Sequence, residues 1–206
     1  ELSLLEAKPL TEKNITAEVC VHHLWFTDED YATRGNRIKW NPAVKSRADR
    51  DALREGLLSG KVDLVATDHA PHSDEEKSQP YWSCPSGGPS VQHSLVMMLE
   101  LAQRGVLPVE KVVEKMCHAP AVRYGVVGRG FLREGYHADI VVVDPSKPQT
   151  VTRENILYKC GWSPFEGERF SSSVELTLVG GRKAFTEGRV DRSVRGDRLE
   201  FEPKRR

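Results

Sequence analysis

The chain has 206 residues, with 30 Lys and Arg balanced by 30 Asp and Glu, so it carries no formal net charge. That balance argues against a nucleic-acid or membrane-surface protein, which normally shows a basic excess, and no apolar run approaches the roughly 18 residues of a membrane span. At 38% hydrophobic and 29% charged the composition is that of an ordinary globular chain, but the length falls short of the about 250 residues usual for a complete (β/α)8 barrel.

Residues 1–8 read as helical, with Leu2, Leu4 and Leu5 as apolar positions and no residue ahead of them to act as N-cap. A chain that opens inside a helix is expected to be a piece of a longer polypeptide. Residues 1–14 lack a basic start followed by an apolar stretch, so no secretory signal is expected. The four cysteines, Cys20, Cys84, Cys117 and Cys160, form no CxxC pair. They predict reduced thiols and a cytoplasmic location.

Residues 15–21 are rich in β-branched side chains and predict a strand ending near His22-His23. A polar loop spans 27–36. Ser46 then caps a helix over 47–59 that Gly60 stops. Residues 62–67 predict a short strand buried on both faces of a parallel sheet. This strand–helix–strand order is the βαβ signature. A long loop dense in Pro, Ser and Gly runs over 68–89 and is read as functional. Three helical stretches follow, at 90–104, 108–117 and 120–124. Past Gly128 the pattern becomes antiparallel, with strands at 138–143, 174–179 and 183–185, turns at Gly180-Gly181 and Gly188, and a last strand at 199–201. The tail over 187–206 mixes both charge signs and is read as a solvated surface.

Thr67-Asp68-His69-Ala70-Pro71-His72 puts a carboxylate and two imidazoles at the carboxyl end of a presumed parallel strand, where α/β folds bind ligands. An Asp there can coordinate a metal and move a proton, or merely cap the next segment. In an extended strand His22 and His23 would point to opposite faces, so both could not serve one metal from regular geometry; structural use is the simpler reading. His93, His118 and His137 read as structural. Asn41 before Pro42 can present its amide to a ligand or close an Asx turn. Ser86-Gly87-Gly88-Pro89 ahead of a helix reads as a flexible loop, or as backbone N–H groups for an anion.

Taken in order, Glu18 to Leu24, Lys39 to Val44, Ala66 to His72, Ser86 to Leu95, Gly128 to Asp144 and Leu157 to Phe165 resemble the class I dihydroorotases of the amidohydrolase superfamily. The resemblance covers essentially the whole chain. It implies an α/β fold: part of a TIM-like (β/α)8 barrel, its last two βα units, over residues 1–127, then part of a small antiparallel β domain over 128–206. It implies reversible cyclisation of N-carbamoyl-L-aspartate to L-dihydroorotate in pyrimidine biosynthesis, by zinc, one or two ions per complete site. Asp68 matches the metal ligand and general acid/base; Asn41 and His72 match substrate contacts; Ser86 and Gly87 match a loop pair whose backbone holds substrate. Many members have Phe-Gly where this chain has Ser86-Gly87, and Pro where it has Val21. The family's other metal ligands, beginning with a His-x-His, are not in this sequence, so the chain reads as the C-terminal half of the family's length and is expected to be inactive alone. A homo-oligomer is expected. The alternatives are a hydantoinase or allantoinase acting on another cyclic amide, and a non-catalytic scaffold for aspartate transcarbamoylase.

Overall fold

A computed structural model describes residues 1–203. The mixed-charge reading of the tail extends over residues 204–206, which lie outside the described residues. The predicted opening helix shrinks to a single 3-10 turn at Leu2–Leu4; Pro9, which lacks the amide hydrogen a helix interior needs, follows close behind. Lys13 Nζ reaches the Asp63 carboxylate at 2.6 Å, with both side chains buried, and the Ala17 N–H donates to the same carboxylate at 3.0 Å. That pair fastens the incoming chain beside the second strand.

Strand β1 (Glu18–Cys20) pairs in parallel with β2 (Leu64–Ala66), in the register Glu18↔Leu64, Val19↔Val65 and Cys20↔Ala66. Between them run α1 (Val21–Trp25), α2 (Tyr31–Arg34) and α3 (Arg47–Ser59). The capping reading of α3 holds: the Ser46 side chain accepts from the Asp49 N–H, Asp49 returns the bond, and Gly60 ends the helix at φ 80. Two expectations need correction. Residues 27–38 are a run of short helical turns, and β1 stops at Cys20 because Val21 opens α1.

The long loop after β2 carries one turn of helix, α4 (Asp74–Lys77), set by the Ser73–Glu76 capping box. Then come α5 (Ser94–Gln103), α6 (Val109–Val113) and α7 (Ala119–Tyr124), with a π-helical turn at Glu114–His118 fusing the last two. The remaining strands are β3 (Ile140–Asp144), β4 (Gln149–Thr150), β5 (Arg169–Phe170), β6 (Ser173–Val179), β7 (Arg182–Thr186) and β8 (Arg189–Val190). They form an antiparallel sheet in the order β3-β6-β7-β8, with β4 and β5 paired separately. The strand expected at 199–201 is reduced to one bridge, Phe201 to Val126.

One apolar core joins the two kinds of structure. Val19, Val21 and Leu24 pack with Met97 and Leu101 of α5, and Val151, Phe165 and Phe170 enter the same cluster from the later part of the chain. Arg34 crosses the same boundary by donating to the Pro164 carbonyl at 2.7 Å and pairing with Glu168. Among the described residues no helix is long and apolar enough to cross a membrane.

Candidate functional site

The chain leaves β2 through Asp68, whose φ of 43 lies in the left-handed region that Asp tolerates better than most residues. The turn exposes Asp68 and His69 at the carboxyl ends of the parallel strands. From there the chain runs alongside residues 86–90. His69 and Gly88 form a parallel bridge, and the Ala70 N–H donates to the Gly88 carbonyl at 3.3 Å. Ser90 Oγ donates to the Thr67 carbonyl at 2.6 Å. The Ser90 N–H donates to His69 Nδ1 at 3.1 Å, which leaves the ring proton on Nε2 of the neutral imidazole.

This contact explains Gly87. Its φ is 115, and a Cβ there would lie 2.6 Å from the Ala70 carbonyl oxygen. The Gly87 N–H donates to the Lys39 carbonyl at 2.9 Å, which draws in the segment just before Asn41. His72 Nε2 stands 3.1 Å from the Ser86 carbonyl. The structure therefore brings His72, Ser86 and Gly87 into one contact group beside the Asp68 turn. Asn41 is exposed and joined to Pro42 by a cis peptide, and the Pro42 carbonyl accepts from His23 Nε2 at 2.9 Å. His23 therefore ties the Asn41 loop to the end of β1.

Three features of the site escaped the sequence reading. Buried Lys77 donates from Nζ to the carbonyls of Gly87 at 2.8 Å and Pro85 at 2.9 Å, holding the loop from beneath; burial pushes its ammonium below the usual lysine range. Trp40 and Trp162 wall the loop, because a Cβ on Gly88 would meet Trp40 at 2.9 Å and Trp162 at 3.2 Å. Lys77 stands in an acidic, polar stretch, where nothing in the sequence signals burial.

The third feature corrects the reading of the paired histidines. Because Val21 opens a helical turn, His22 and His23 do not alternate across a strand, and their ring centroids lie 4.2 Å apart. Cys20 joins them. One ligand atom from each of Cys20, His22 and His23 lies within 4.8 Å of the others. Burial, then His23, lowers the His22 pKa to about 2. Burial chiefly lowers that of His23 too. Burial, then the Asp68 charge, pushes the Cys20 thiol up to about 12. The Asp68 charge opposes that lowering at His23.

His93 is buried, and its Nδ1 lies 3.2 Å from Ser163 Oγ and 3.5 Å from the Tyr158 hydroxyl. His118 stacks on Phe131. Clefts of about 390 and 360 Å3 lie elsewhere, one at Arg34, Arg37 and Glu166, the other at Arg47, Arg50, Arg54 and Arg104. Neither includes the candidate residues, which occupy an open strand-end surface. The candidate residues are singled out by their strand-end position and chemistry, not by a cleft.

The zinc implied by the resemblance takes about three protein ligands in a catalytic site. Asp68, an exposed carboxylate at a strand end, fits one of those positions.

The pattern of the Amidohydrolase family matches residues 3–184. The dihydroorotase of Endomicrobium trichonymphae is 38% identical over 168 residues, covering 81% of this chain and 40% of that protein. That of Methanosarcina acetivorans is 34% identical over 201 residues, covering 96% of this chain and 42% of that protein. The chain thus spans about two fifths of the length of the curated relatives it matches. Among solved structures, L-hydantoinase (dihydropyrimidinase) from Arthrobacter aurescens superposes with a TM-score of 0.83 at 28% identity, over 92% of this chain and 43% of that one. D-hydantoinase from Thermus sp. matches at a TM-score of 0.78 and 22% identity over 92% of this chain and 43% of that one, a likeness of fold alone.

Proposed function

Since the chain belongs to the amidohydrolase family, we propose that it is the C-terminal portion of a dihydroorotase, with Asp68 as metal ligand and general acid/base. In this reading residues 1–127 are the end of the (β/α)8 barrel, β1 and β2 are its last two strands, and residues 128–206 are the later part of the small β domain. The substrate is a small cyclic amide or its ring-opened acid, the location is cytoplasmic, and the protein is a homo-oligomer. The observation that carries the reading is the joining of the Asp68–His72 turn to the Ser86–Gly88 loop, with His72 on Ser86 and Gly87 against Ala70.

The chemistry follows from which groups face solvent there. Zinc, when bound, would polarise the ring amide carbonyl and make hydroxide available near neutral pH. Asp68 would be one of its ligands, and a coordinated carboxylate keeps an oxygen free to take a proton and return it to the departing ring nitrogen. Asn41 offers an amide donor and acceptor to the substrate's polar edge. His72 and the Ser86–Gly87 backbone hold its other end, and Lys77 keeps that backbone from shifting. The 206 residues by themselves carry one member of the family's ligand set and are inactive.

Incubating the complete protein with L-dihydroorotate, hydantoin and allantoin tests the substrate. Dihydroorotate turnover is expected, and hydantoin or allantoin turnover without it would overturn the choice. The scaffold alternative, in which the chain supports aspartate transcarbamoylase, predicts no stoichiometric zinc and no turnover in the same preparation.

A further inference from the structure

His22 is fully buried, and both its ring nitrogens lack a hydrogen-bond partner among the described residues. Leaving buried polar atoms unpaired is costly, so such atoms in a native protein call for a partner. The ring cannot easily turn toward one, because it stacks on Trp40 with centroids 4.0 Å apart and planes 7° from parallel. The polar atoms nearest in chemistry are the Cys20 thiol and the second imidazole, His23, grouped within 4.8 Å. Sulfur and imidazole nitrogen are a donor set that selects zinc-class ions over magnesium or calcium.

We propose that Cys20, His22 and His23 bind a zinc-class divalent cation as a Cys-His-His site at the carboxyl end of β1. A tetrahedral ion with bonds of about 2.0–2.3 Å holds its ligand atoms roughly 3.3–3.7 Å apart. The observed grouping needs only a small closure around the ion to reach that. His23 is prepared for the role: its Nε2 donates to the Pro42 carbonyl at 2.9 Å, which leaves the lone pair on Nδ1. A carbonyl on the far nitrogen is the usual way a protein orients a ligating histidine. Trp40 fixes the plane of the His22 ring. Binding releases the Cys20 proton to solvent as the sulfur–metal bond forms. The site does not depend on the dihydroorotase reading, because none of its three donors belongs to the ligand set that reading uses.

Cobalt(II) tests the site, since it takes zinc positions and reports thiolate ligation through a near-ultraviolet sulfur-to-cobalt charge-transfer band. The purified chain, stripped with chelator and titrated with CoCl2, should take up one equivalent with that band and the intense visible absorption of tetrahedral cobalt. Cys20→Ser should lose the charge-transfer band, and His23→Gln should lose the tetrahedral visible spectrum. Asp68→Asn should keep the charge-transfer band, which separates this site from any role of Asp68 in catalysis. Circular dichroism confirms that each variant is folded, and the two outer ligands, neither as deeply buried as His22, serve if His22→Gln fails to fold. No cobalt uptake by the wild-type chain, or a charge-transfer band that survives in Cys20→Ser, would overturn the proposal.

Discussion

At Gly87 the backbone of one loop lies so close to the backbone of another that a methyl group has no room: its carbon would stand 2.6 Å from the Ala70 oxygen, at a φ of 115. Gly87→Ala should therefore destabilise the chain by about 1–3 kcal/mol and loosen the contact between His72 and Ser86. If the complete protein is the proposed dihydroorotase, that appears as a raised KM with a smaller change in kcat. His93 offers a test by pH. Burial lowers its pKa to about 4 from an ordinary 6.5, so between those values the unfolded chain binds a proton that the folded chain refuses. Stability should be full above about pH 6.5 and fall toward pH 4, by roughly 3 kcal/mol from this residue. Unfolding free energies of wild type and His93→Asn across that window check it: their difference should vary with pH, and a constant difference would remove His93 as the cause. At this scale Asp68 was legible in the sequence, since a polar cluster closing an apolar run marks a strand end. The Cys20–His22–His23 group was not, because alternation along an extended strand separates residues that one turn of helix brings together.

Among the elements, α3 shows how local rules suffice. Ser46, Asp49 and Gly60 fix both its ends by hydrogen bonding and backbone freedom alone, so the sequence reading and the structure agree there. Ser46→Ala should cost about 1 kcal/mol of unfolding free energy, measurable by urea titration. The loop over 68–89 is different, because what orders it is a lysine reaching up from α4. Lys77→Met keeps the length of the side chain but strands the Gly87 and Pro85 carbonyls, both of which Nζ now reaches within 2.9 Å. A loss of about 1–3 kcal/mol is expected, with faster amide exchange at Gly87 and Gly88 than elsewhere in the chain. The short turns over 27–38 were not legible, since they have neither the length nor the apolar period that marks a helix. The strand expected at 199–201 has β-type residues but among the described residues bridges only to Val126. Residue preference proposes a strand, and a partner along its length decides it.

For the whole molecule, β1 and β2 form a sheet of two strands, and each has an outer edge with no strand against it among the described residues. Large apolar side chains stand in solvent as well: Trp82 is 92% exposed, and Leu4 and Leu132 are each 82% exposed. If the chain is the later part of a barrel, the two strand edges are surfaces that other strands cover. The purified 206 residues should then associate with rising concentration in sedimentation velocity. A monomer that unfolds in one two-state transition would count against that architecture. The most direct test of the central claim is the rate of L-dihydroorotate ring opening by the complete, zinc-loaded protein, measured for wild type and for Asp68→Ala side by side. The account predicts turnover in the wild type and none detectable in the variant; near-normal rates in Asp68→Ala, or a wild type that binds zinc and leaves dihydroorotate untouched, would contradict it.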